Sequence, residues 1–196
     1  MVLASQQRPE TVSAAGTTWA IDPLHSTIAF SIKHLKVATA HGRFGRFQGT
    51  ISIDDGRPDA SFVEVEIDAS SIDTHEKRRD EHLRSADFFD VTVYPVITFR
   101  STRVEPISPV RRDRWLVVGD LTIHGVTQSV KLAIERTGAS PSAWPPEMIS
   151  FTASTMISRK AFGIGYNAPT DGGLLIADDF TITIDVQAQK TSVSGR

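Results

Sequence analysis

The chain has 196 residues, 40% of them hydrophobic, and a formal net charge of -2. That length supports one sizeable core, and the near-neutral charge excludes the basic excess that phosphate contacts demand of a nucleic-acid binder. The absence of cysteine excludes disulfides, thiol nucleophiles, Cys-ligated zinc and iron–sulfur clusters.

Residues 1–17 are small and polar and predict a disordered tail. They lack the basic start and apolar run of an export signal, so the expected compartment is the cytoplasm. Period-two alternation then dominates. Ile28, Phe30 and Ile32 alternate with Ala29, Ser31 and Lys33, and a noisier strand runs from Phe44 to Ile53. Asp54-Asp55-Gly56 predicts a tight turn before Val63, Val65 and Ile67.

Residues 73–84 break the alternation and predict a short helix. Asp73 and Glu76 have capping-box spacing, and Lys77 with Glu81 and Asp80 with Arg84 can pair at i,i+4. Leu83 is almost its only apolar residue, so this helix belongs on the surface or over a barrel end, with Phe88 and Phe89 as anchors. Strand patterns resume over Val96–Val104, with Phe99, and over Trp115–Ile123. His124-Gly125 predicts a turn. Val130, Leu132 and Ile134 alternate with Lys131, Ala133 and Glu135.

A loop follows at Thr137–Glu147, with Pro141, Pro145 and Pro146 around Trp144, and then a strand over Ile149–Ile157. A second long loop is expected at Asn167–Asp179 before Ile182, Ile184 and Val186. Residues 18–190 are thus expected to form one domain of about eight antiparallel strands, with 191–196 as a tail. Alternation admits two ways to bury the apolar faces, a two-sheet sandwich or a closed barrel that holds a small ligand.

Motifs for chemistry are sparse. Six histidines are present (His25, His34, His41, His75, His82 and His124), but none has the spacing of a zinc helix with a nearby third ligand. No nucleophile elbow occurs. Gly163-Ile164-Gly165 superficially resembles a dinucleotide fingerprint, but Pro169, Gly172 and Gly173 follow where a helix is required. Arg43, Arg46 and Arg159 are each able to grip an anionic head group, although a surface or packing role is the plainer reading. His34 and His41 flank the first hairpin connection and could sit at a barrel mouth. No catalytic residue, metal or cofactor is expected.

Several blocks resemble the YceI-like family. They are Asp22-Pro23-Leu24-His25-Ser26, Lys33-His34 with Gly42-Arg43-Phe44, and Arg79-Asp80-Glu81-His82-Leu83 running into Asp87-Phe88-Phe89-Asp90 and Tyr94-Pro95-Val96. Gly119-Asp120-Leu121-Thr122-Ile123-His124-Gly125, Ser158-Arg159-Lys160-Ala161-Phe162-Gly163 and Asp179-Phe180-Thr181-Ile182 continue it, over about residues 19–188. The resemblance implies an all-β fold: an eight-stranded antiparallel, lipocalin-like barrel with one short surface helix. It also implies that the bore takes a polyisoprenoid, an isoprenoid quinone or a similar amphiphilic lipid, for sequestration or carriage.

The expected lining is then Phe30, Ile32, Val65, Ile67, Phe99, Leu132, Ile134, Ile182 and Ile184, with His34, Arg43 and Arg159 as polar contacts. Transient membrane contact and a homodimer are the expected associations, and no nucleic acid. The alternative is a metal- or histidine-dependent enzyme acting on a small apolar substrate.

Overall fold

The structure, a computed structural model, describes residues 16–34, 37–108, 110, 113–141, 146–166, 169–170, 173–174 and 176–191. The expected tails, residues 35–36, Trp144 and parts of both long loops lie outside the described residues, apart from the few tail residues that those ranges include.

Eleven ladder segments form one antiparallel sheet that closes on itself. In chain order they are β1 (Thr17–Ile21), β2 (Thr27–His34), β3 (Ala38–Phe44), β4 (Phe47–Ile53), β5 (Phe62–Asp68) and β6 (Ile72–Asp73). After the helix α1 (Lys77–Arg84) come β7 (Val96–Pro106), β8 (Arg114–Ile123), β9 (Val126–Ala139) and β10 (Met148–Ser158). A small ladder of β11 (Pro169–Thr170) and β12 (Gly173–Leu174) precedes β13 (Ile176–Lys190).

The first six segments are three long strands, each broken once. Both β1 and β2 run antiparallel to β13, with Ile21 opposite Ala188 and Ile28 opposite Ile184. Likewise β4 pairs with β1 and β3 with β2, while β5 pairs with β4 and β6 with β3. The result is a closed eight-stranded antiparallel barrel with one α-helix among the described residues.

Two of the breaks carry short 3-10 turns, Pro23–His25 and Ala69–Ser71, and Gly45–Arg46 makes the middle one. The chemistry of Asp22-Pro23-Leu24-His25-Ser26 now has a local cause. Pro23 sits at the start of the 3-10 turn, where its missing N–H costs nothing. Asp22 accepts from Leu24 N–H and from the side chains of Gln187 and Gln189, and Ser26 exchanges hydrogen bonds with Gln187. At the other two breaks, Gly45 N–H donates to Ser71 O, Asp68 N–H donates to Arg46 O, and the Arg46 side chain reaches both Asp68 and Ser70.

These corners depend on ionised aspartates. A hydrogen bond with His25 lowers the pKa of Asp22, the Ser70 hydroxyl lowers that of Asp68, and the His75 N–H lowers that of Asp73; partial desolvation opposes each shift. A folded-state pKa below the unfolded value gives stability that is fully present above the unfolded carboxylate range and lost as pH falls through the folded value. The urea midpoint is therefore expected to hold from pH 7 to about pH 5 and to fall below about pH 4. Asp68→Asn should lower the midpoint at pH 7 and flatten the acid limb. Acid limbs of equal steepness in the two proteins would contradict this role.

The His124–Gly125 turn is as expected. Both residues have positive φ (52° and 72°), which suits a two-residue hairpin, and the Tyr94 ring packs edge-on against His124. The helix differs from the expected pattern. Its N-cap is Glu76, which accepts from Arg78 and Arg79 N–H, while Asp73 accepts from His75 N–H ahead of the helix. Lys77 lies 3.9 Å from Glu81. Asp80 does not pair with Arg84: it is buried and bonded to Thr74, and Arg84 donates to the carbonyls of Ser70 and Ile72. Asp80 and Arg84 thus tie the helix to the barrel end. Strand also extends further than expected, β9 into the first predicted loop and β13 into the second. No helix among the described residues is long and apolar enough to cross a membrane.

Candidate functional site

Successive residues of a strand face opposite sides of the sheet, and cross-strand partners share a side. One inward belt therefore runs Ile28, Ile184, Ala153, Ile134 and Trp115 across β2, β13, β10, β9 and β8. A second pairs Gly42, Phe30 and Ile182, and a third pairs Gly49, Val65, Phe99 and Leu121. Glycine is required where rings cross the wall: a Cβ on Gly119 would lie 2.5 Å from Phe99 Cζ, and one on Gly42 would lie 2.4 Å from Phe30 Cζ.

These belts enclose a cavity of about 1400 Å³. All nine apolar residues expected from the alternation line it, as do His34 and Arg159. Many of its inward apolar side chains, including Phe30, Ile32, Val65, Ile134, Ile182 and Ile184, are only half-buried. In a solid core, residues at the centre of the belts would be sealed by partners across the barrel. Here they face empty space.

The cavity extends to both ends of the barrel. At one end the lining includes Asp54, Asp55, Ser61, Pro106, Trp115 and Arg136. At the other, the α1 end, it includes His34, Thr74, Glu76, Arg78, Arg79, His82 and Tyr166. Phe30, Phe44 and Phe89 form a row of rings near α1, with centroids 5.9 and 5.8 Å apart. Beside it, His82 packs edge-on against Phe88 and Tyr166 and lies 2.8 Å from Asp87.

The three expected polar contacts fare differently. His34 lies on the inward side with Phe30 and Ile32 and lines the cavity. Arg43 is not among the lining residues. It falls between the inward Gly42 and Phe44, points outward, and reaches Asp73 at 3.3 Å. Arg159 does line the cavity but is only 3% exposed, and its guanidinium is committed to backbone. Nε donates to Ala177 O at 2.9 Å, and Nη1 donates to Ile164 O and Tyr166 O at 2.8 Å. Burial lowers its pKa, and the nearby Asp178 carboxylate opposes that shift. It therefore pins the 159–177 connection and is not free to grip a head group.

His41 pairs with Ser31 on the outer face and is exposed, and His75 precedes the helix in a left-handed conformation, so it shares no helix face with His82. Among the described residues no three His, Asp or Glu side chains converge as a metal site.

The YceI-like domain model matches residues 19–188. The protein YceI of Shigella flexneri is 38% identical over 154 residues, covering 78% of each chain. Among solved structures, the YCEI protein of Campylobacter jejuni is 28% identical with a TM-score of 0.69, covering 82% of this chain and 91% of that one. A polyisoprenoid binding domain from Saccharophagus degradans covers 89% of this chain and 99% of its own at 16% identity and a TM-score of 0.62, a likeness of fold. The chain belongs to the YceI-like family.

Proposed function

We propose that this YceI-like protein, alone or as the expected homodimer, holds one elongated apolar amphiphile of isoprenoid type lengthwise in its bore, and binds it without chemistry. The observation that carries this reading is the belt of inward, half-buried apolar side chains around a cavity of about 1400 Å³. Each methylene moved from water into such a lining gains about 0.8 kcal/mol. Ten to fifteen of them gain about 8–12 kcal/mol against an association cost of about 4–15 kcal/mol, and about twenty cover the whole of that range. A long tail therefore binds without specific polar contacts. The Saccharophagus degradans domain, described as polyisoprenoid-binding, supports an isoprenoid-type ligand.

Sequestration needs only this affinity. Carriage needs exchange as well, through transient contact of one barrel end with a membrane. Mass spectrometry of organic extracts of the purified protein tests the reading. A long-chain amphiphile near one per chain is expected. No such molecule in the extract, together with no saturable site for an apolar fluorescent probe, would overturn it. Stoichiometric zinc or iron in the same preparation would favour a metal-dependent enzyme instead.

A further inference from the structure

The two ends of the bore are built differently. The α1 end is closed by parts bonded in place. Asp80 and Arg84 hold the helix, and the His82 and Phe88 rings meet Tyr166, whose carbonyl accepts from Arg159. The helix is mostly charged, and its Lys77 and Glu81 are exposed, so this end presents ionised groups that resist transfer from water into lipid. At the other end the bore runs out beside the β7–β8 hairpin. Pro106 and Trp115 are cross-strand partners at its base, and both line the cavity. Beyond them Ile107 N–H donates to Arg114 O at 3.1 Å and Val110 N–H to Ser108 Oγ at 3.3 Å. The Ile107 and Val110 side chains are 53% and 87% exposed. Turns ordinarily carry small polar residues. Two large aliphatic side chains held in water here gain from any apolar surface that covers them.

Resting on the lipid-binding reading above, we infer that the β7–β8 hairpin tip, through Ile107 and Val110, docks this end of the barrel on a lipid bilayer, and that the ligand passes between bilayer and bore past Pro106 and Trp115. The occupant follows from position. The exposed pair continues the apolar lining outward from the mouth of the tube, so a bilayer seated on it lets a greasy tail move across without entering water. A tryptophan at the junction of an apolar and a wet region suits that boundary, and the Trp115 ring has the Arg136 guanidinium 6.0 Å from its centroid. Charge attraction is not the driving force, because the charges around this rim are largely spent on one another. Arg57 pairs with Asp54 at 3.1 Å, Arg103 with Glu105 at 3.0 Å, Arg114 with Glu135 at 2.7 Å and Lys190 with Glu147 at 2.8 Å. Asp55 and Asp59 are exposed in the β4–β5 turn and keep that side of the rim in water. The barrel therefore meets the bilayer tilted, with the β7–β8 side inserted and the β4–β5 side raised.

The test follows retinol, a fluorescent isoprenoid alcohol, as it leaves the full chain for phosphatidylcholine vesicles that carry an energy-transfer acceptor. Docking makes transfer collisional, so its rate is expected to rise in proportion to vesicle concentration. In the double variant Ile107→Asp with Val110→Asp, transfer at high vesicle concentration is expected to slow at least about tenfold and to lose its dependence on vesicle concentration, because two aliphatic anchors are replaced by charges. Equilibrium affinity for retinol and thermal unfolding should not change, since neither residue lines the cavity and both are exposed. Val37→Asp, at the exposed β2–β3 turn of the α1 end, should leave the transfer rate as it is. A wild-type rate independent of vesicle concentration would show release into water and overturn the docking. So would a double variant that transfers like the wild type, or a loss of collisional transfer in Val37→Asp, which would put the α1 end on the bilayer. A double variant that binds retinol weakly would place the tip in the ligand site and overturn it as a docking element. Failure of the wild type to bind retinol at all would count against the lipid-binding reading itself.

Discussion

Ala153→Trp is expected to weaken binding of a long-chain amphiphile at least ~50-fold while the protein stays folded with an unchanged or raised melting temperature. Ala153 lies in the inward belt between Ile134 and Ile184, on the cavity wall. An indole there obstructs the tube. Losing contact for only three methylenes costs ~2.4 kcal/mol, which is ~50-fold in affinity. In a packed interior the same substitution would overfill the core and destabilise it by about 1–3 kcal/mol. Binding affinity and denaturation, measured on one preparation, therefore separate a hollow barrel from a filled one. Destabilisation with unchanged binding would contradict the account.

The second large effect concerns stability. Arg159→Ala is expected to destabilise the barrel by about 3 kcal/mol or more, because it strands the carbonyls of Ile164, Tyr166 and Ala177, which the guanidinium satisfies at 2.8–2.9 Å. Arg159→Lys should recover part of this loss, since an ammonium can reach some of those acceptors but not all of them in one plane. Equilibrium denaturation in urea gives both values. A loss below ~1 kcal/mol for the alanine variant would mean that water replaces the guanidinium, and Arg159 would then not pin the connection.

How much of this was legible depended on local pattern. Barrel strands keep one face inward wherever the ladder is regular, so where alternation was clean, as at Ile28–Ile32, Val63–Ile67 and Val130–Ile134, it marked the wall directly. Phe44, Trp115 and Phe151 also line the bore but lie in the noisier segments. Register shifts at Ser150/Phe151 and Ser101/Arg103 change the parity within a strand. Parity did hold a clue about Arg43: Phe30 lies opposite Gly42, so position 43 faces out. The broken strands could not be read, because Gly45–Arg46 interrupts the ladder through bonds to Ser71 and Asp68, distant in sequence. The mouth arginines escaped for a similar reason. Along the chain, residues 77–84 look like a solvated helix face, and only their placement over the barrel end makes Arg78 and Arg79 part of the cavity lining.

The most direct measurement is a crystal structure of the protein with a long-chain isoprenoid amphiphile bound. The account predicts one continuous tube of ligand density along the axis, touching Phe30, Ile184, Ile134 and Trp115, with the barrel backbone unmoved. Side chains of Ile134, Ile182 and Ile184 closed against one another, with ligand only on the outer surface, would contradict it.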